Sequence, residues 1–250
     1  MKSTFGPVSS LLLGVAFLIV GHGLQLTAVP LRAEAEGWSA FEIGAIGSAY
    51  YIGFVLGCLG GPYAILRAGH IRAFAAAVSL AAAVMIAHPL WVAFPTWFVL
   101  RLLIGASLAG LYMIIESWLN DRASNTTRGV IMSAYIIVNF AALTVGQLAV
   151  TLYSPAEFSL FALATLSMSL ATIPVALTRS AQPAPIARVR FRPRALYRAS
   201  PAGIVGVTAI GVANGAFWSL GAVSAVGDGR TTGEAAIFMS LATVGGALMQ

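Results

Sequence analysis

The sequence predicts an all-α integral membrane protein, and three observations predict it. Of its 250 residues, 59% are hydrophobic and only 9% charged, with a mean hydropathy of +0.89. A soluble domain carries about a quarter charged residues, so this little charge cannot cover a water-facing globule. The apolar residues gather into stretches of roughly the 20 residues that an α-helix needs to cross a bilayer. The connections between the stretches alternate between arginine-rich and acidic or neutral, which is the positive-inside pattern of a chain whose N-terminus is cytoplasmic.

The spans are expected near 9–31, 43–66, 71–94, 96–119, 129–152, 156–177 and 201–226, with an eighth from about 233 to Gln250. The first, "LLLGVAFLIV" after Lys2, is followed by further hydrophobic spans, so it reads as a retained helix rather than a signal peptide. "LRAEAEGWSAFE" then sets Arg32 against Glu34, Glu36 and Glu42, whereas the next connection, "LRAGHIRA", holds Arg67 and Arg72 with no acid. "AHPLWVAFPTW" has no lysine or arginine, "NDRASNTTRG" has Arg122 and Arg128, and "YSPAEF" has only Glu157. The N-x-T pattern at 125–127 falls on the cytoplasmic side of this topology and is discounted as a glycosylation site. The longest connection, 179–200, carries Arg179, Arg188, Arg190, Arg192, Arg194 and Arg198 without an acid and is rich in proline. It reads as a cytoplasmic linker lying on anionic headgroups, each arginine contributing about 1 kcal/mol. The net charge of +6 is thus accounted for by lipid, and no nucleic-acid partner is expected.

A repeat links the ends of the chain. Gly14, Val15, Gly23, Gly37, Glu42, Ser48 and Gly53 recur at one constant offset as Gly206, Val207, Gly215, Gly229, Glu234, Ser240 and Gly245. Residues 1–178 therefore read as a six-helix half, 179–200 as the linker, and 201–250 as the first two helices of a second half in parallel orientation.

Several polar residues stand out because the bilayer makes them costly. Arg101, Gly105, Tyr112 and Glu116 fall on one stripe of helix four. A charge at the bilayer centre costs about 2.5–3.5 kcal/mol, so such residues face a polar cavity or a partner. Arg101 and Glu116 are roughly 22 Å apart along the helix at 1.5 Å per residue, too far to pair. For Glu116 the expectation is an interfacial ion pair with Arg67, Arg72 or Arg128, with proton carriage as the alternative. For Arg101 it is snorkelling to the outer surface or lining a cavity. His22 and Gln25 in "GHGLQ", Tyr50, Asn139, Gln147, Asn214 and Trp218 complete the cavity candidates; Tyr and Trp near span ends could equally be belt residues. Gly53, Gly57 and Gly61 form a bare stripe on helix two, suited to close packing or to a sliding contact. Cys58, the lone cysteine, excludes an intramolecular disulfide and reads as a packing residue. No P-loop, no HExxH, no hydrolytic set and no acidic cage occur, so no ATP motor, enzyme, metal or cofactor is expected.

These residues resemble the major facilitator superfamily. "LRAGHIR" is similar to that family's signature between helices two and three, with Arg67 and Gly69 matching, His70 at a usually basic place and Leu66 where an acid is usual. "RLLIG" is similar to its helix-four signature, R-x-x-x-G, giving Arg101 and Gly105. "AYYIGFVLG", "AGLYMIIESWLND" and "TRGVIMSAY" resemble the YcaD-type bacterial branch. The resemblance implies twelve helices in two halves, a secondary transporter of the inner membrane working by alternating access, and proton coupling involving Arg101. The Glu116 pair with Arg67, Arg72 or Arg128 would latch a cytoplasmic gate, at which the loop signature adds Gly69 beside Arg67; the resemblance also implies a helix-two glycine stripe facing helix eleven. The Gly-Pro signature of drug exporters is missing from "IVNFAALTVGQLAV", which disfavours drug/proton efflux. A non-transporting scaffold or receptor on the same fold is the other reading. Against a twelve-helix family the chain reads as a fragment ending within helix eight, the rival being an eight-helix protein that completes itself as a dimer.

Overall fold

The computed structural model describes residues 8–178, 183 and 193–249. Among them there is no strand. The helices are α1 (Ser9–Ala35), α2 (Ala40–Ala68), α3 (His70–Leu90), α4 (Phe94–Arg122), α5 (Arg128–Leu148), α6 (Phe158–Leu170), α7 (Thr172–Ala176), α8 (Pro193–Ala199), α9 (Pro201–Gly227) and α10 (Thr232–Leu248). A 3-10 turn, Ala149–Leu152, lengthens α5, and α7 continues α6 as one span. Seven spans are long and apolar enough to cross a bilayer; α10, with 17 residues, is apolar but shorter. The chain is an all-α, multi-pass membrane bundle, and each expected span corresponds to a helix. Most of the basic segment 179–200 lies outside the described residues; α8, with Arg194 and Arg198, is exposed.

Local chemistry sets the helix ends. Ser39 caps α2 by accepting from the Glu42 amide at 3.3 Å, while the Glu42 carboxylate accepts from the Ser39 amide at 2.9 Å, a reciprocal capping box. Thr231 and Glu234 repeat it on α10 at 3.2 and 2.8 Å. Gly37 and Gly229 both adopt positive φ, 78° and 84°, where a side chain would be strained. Around them the turns make the same backbone bonds: Gly37 to Glu34 and Trp38 to Ala33, and likewise Gly229 to Val226 and Arg230 to Ala225. At this turn and cap the sequence repeat is therefore also a structural one, down to single hydrogen bonds.

Two helix pairs form the interior, each closed by reciprocal glycines. In α2–α4, a Cβ on Gly53 would overlap the Leu102 carbonyl and one on Gly105 the Tyr50 carbonyl. In α1–α5, Gly23 meets Leu143 and Gly146 meets Val20 in the same way. Small residues let backbones approach where no hydrophobic drive separates protein from lipid. The helix-two stripe thus packs on α4: Gly57 lies against Ala106 and Gly61 against Met113. This corrects the expectation of a surface facing helix eleven, because helix four supplies a matching bare face. α3 and α6 pack outside these pairs, α9 lies along α1 and α2, and α10 along α5.

Candidate functional site

The reciprocal glycines bring the polar residues of α1, α2 and α4 together. Arg101 is only 3% exposed. It donates from Nη1 to Gln25 Oε1 at 2.9 Å and reaches the Ile46 carbonyl at 3.4 Å from Nε. Its guanidinium carbon lies 4.7 Å from the Tyr50 ring centroid, a cation–π contact. Arg101 therefore turns into the bundle and does not snorkel. Gln25 in turn bonds His22 Nδ1 at 3.0 Å. The His22 ring is stacked on Tyr50, with centroids 6.0 Å apart, and meets the edge of Tyr112 at 6.4 Å. Four residues from three helices thus form one buried polar cluster.

Beside the cluster lies a cavity of about 300 Å³ between α1, α4 and α5. His22, Tyr112, Tyr135 and Asn139 give its polar surface; Ile19 and Phe140 are among its apolar lining. The half-buried Asn139 donates Nδ2 to the Tyr135 carbonyl of its own helix at 3.1 Å, which leaves its amide oxygen as an acceptor. The Tyr135 hydroxyl donates to the Glu116 carboxylate at 3.4 Å. Glu116 is exposed, as are Arg67, Arg72 and Arg128. The expected ion pair of Glu116 with one of those arginines is absent among the described residues: its partner is a tyrosine on the facing helix, and the three arginines project outward. Gly69, at φ 80°, makes the tight turn from α2 into α3, and His70 bonds Ser117 at 3.1 Å, tying that turn to α4.

The remaining candidates lie elsewhere. Gln147 is buried and accepts from the Thr243 hydroxyl at 2.8 Å, joining α5 to α10. Trp218 is half-buried on α9, and Asn214 is exposed on the same helix, outside the cluster and the cavity wall. Asn214 occupies the repeat position of His22. Among the described residues this face of α9 is open. Tyr112 and Tyr135 are cavity residues absent from the sequence candidates. The signal was present: Tyr112 shares the stripe of Arg101 and Glu116, and Tyr135 precedes Asn139 by one helical turn. Among the described residues no group of histidine, cysteine and carboxylate side chains is arranged to hold a metal ion.

No protein-family model matches the chain. It is similar to the uncharacterized MFS-type transporter YcaD of Escherichia coli K12 strain DH10B, at 26% identity over 179 residues, which is 72% of this chain and 47% of that protein. YcaD proteins of Escherichia coli O157:H7 strain EC4115 and strain SMS-3-5 match with the same values. The resemblance read from the short motifs is thereby borne out over most of the chain. The chain spans about half the length of the curated relatives it matches.

Proposed function

We propose that this relative of the MFS-type transporters is part of a secondary active transporter of the bacterial inner membrane, moving a small solute by alternating access under a proton gradient. The observation that carries the reading is the buried His22–Gln25–Arg101–Tyr50 cluster beside a cavity of about 300 Å³. Polar groups placed at such cost inside a bundle mark a solute pathway. Transport rather than catalysis is supported by the similarity to proteins described as MFS-type transporters. The unit 1–178 is then one rocking half and 201–250 the beginning of the other, with the N-terminus cytoplasmic and the basic linker on anionic lipid. Proton coupling is supported by Glu116, the carboxylate that reaches the cavity wall through Tyr135; with Arg67, Gly69, Arg72 and Arg128 it forms the proposed cytoplasmic gate.

The test is solute flux in proteoliposomes across a metabolite panel, with and without an imposed pH gradient. Uptake that rises several-fold with the gradient is expected. Flux indifferent to the gradient removes proton coupling, and binding without flux for every solute removes transport.

A further inference from the structure

The hydrogen bonds of the cluster have a fixed direction. Arginine can only donate, so Gln25 must present Oε1 to Arg101. That leaves the amide NH₂ of Gln25 facing His22 Nδ1 at 3.0 Å, and an NH₂ also only donates. His22 Nδ1 must then accept, so the ring proton sits on Nε2. Protonating Nδ1 would set two donors face to face, and turning the Gln25 amide over would do the same toward Arg101. His22 lines the cavity, and its one hydrogen bond among the described residues is made through Nδ1, none through Nε2.

The charges around this ring are unbalanced. Arg101 is buried on α4 with no carboxylate partner among the described residues. Tyr50 on α2, Tyr112 on α4 and Tyr135 on α5 are the other titratable groups facing His22 or its cavity. Glu116 lies four turns from Arg101, roughly 22 Å along the helix. A cation held in low dielectric without an ion partner favours an anion brought to it, and apart from the Asn139 amide the rest of the wall is apolar and aromatic.

We propose that His22, locked as the neutral Nε2–H tautomer by the Arg101–Gln25 relay, is the donor that receives the carboxylate of a small organic anion with an apolar body. Arg101 is then a positioning residue, acting through Gln25 and supplying the field. This rests on reading the cavity as the solute site, and it assigns His22 to recognition, leaving the proton to another group.

The test is NMR of the full chain in lipid nanodiscs with ¹⁵N- and ¹³C-labelled histidine, the three histidines being assigned with His22→Gln and His70→Gln. The expected spectrum keeps His22 as Nε2–H from about pH 8 to about pH 5, across the region near 6.5 where a free imidazole titrates. Gln25→Met is expected to release it into a tautomer mixture that titrates. Benzoate is expected to move the Nε2 resonance at a concentration at least about tenfold lower than benzylammonium, a difference of about 1.4 kcal/mol. An Nδ1–H or charged His22 in the wild-type chain overturns the proposal, as does benzylammonium acting as strongly as benzoate. Flux without any benzoate response sinks this inference and leaves transport standing. A benzoate response without flux supports it and sinks transport alone.

Discussion

At the scale of single residues, the cluster separates function from stability in a measurable way. Burying the Arg101 guanidinium without an ion partner is costly, and replacing a buried charge by an apolar group of similar size is often neutral or stabilising. The change also leaves Gln25 Oε1 unpaired, at about 1–3 kcal/mol. The two effects nearly offset. Arg101→Met is therefore expected to leave the thermal unfolding midpoint within a few degrees of wild type while lowering solute flux at least about tenfold. Arg101→Lys keeps the charge but loses the planar face over Tyr50 and is expected to recover only part of the flux. If Arg101→Met instead unfolds the protein and Arg101→Lys restores both properties, the residue is structural. Much of this cluster was legible beforehand, because an arginine, a histidine and a glutamine inside apolar runs must find partners. The partners themselves were not: Tyr135 lies 19 residues from Glu116, and only the packing of α4 beside α5 brings them together.

At the scale of helices, the close approaches make a sharp prediction. Gly53→Val and Gly105→Val drive a side chain into the facing backbone, which no rotamer change relieves. Each is expected to destroy the monodisperse fold in detergent, read by size-exclusion profile. Gly110→Ala, on the same helix as Gly105 but with nothing within 4 Å of the added Cβ, is expected to be neutral or to stabilise by about 0.5–1 kcal/mol. The helix caps offer a second comparison. Ser39→Ala and Thr231→Ala break equivalent capping boxes, so each is expected to cost about 1 kcal/mol in the unfolding of its own helix pair, followed by hydrogen exchange. The spans were readable from hydropathy; the Ser-x-x-Glu and Thr-x-x-Glu spacings of the two caps were not among the expectations and emerged with the helix ends. The partner of the glycine stripe was not, since a bare face on one helix fits any other bare face, and the family pattern pointed to a helix other than α4.

At the scale of the whole molecule, the topology rests on the alternation of loop charge. With Cys58 replaced by Ser, a thiol at the exposed Ala35→Cys is expected to react with an impermeant reagent added outside intact cells. One at the exposed Arg198→Cys is expected to react only after the membrane is opened; equal labelling of both removes the orientation. The two interlocked pairs also bear on how such a bundle can change shape. Backbones in mutual contact at Gly53–Leu102 and Gly146–Val20 cannot slip past one another without collision, so α2 with α4, and α1 with α5, must each travel as one rigid unit. Deformation is left to seams that lack this interlock, and the one between α5 and α10 is crossed by the Gln147–Thr243 hydrogen bond. A clasp of that kind can open and re-form at modest cost, and spin labels across it should report a distance that varies while those across α2 and α4 stay fixed.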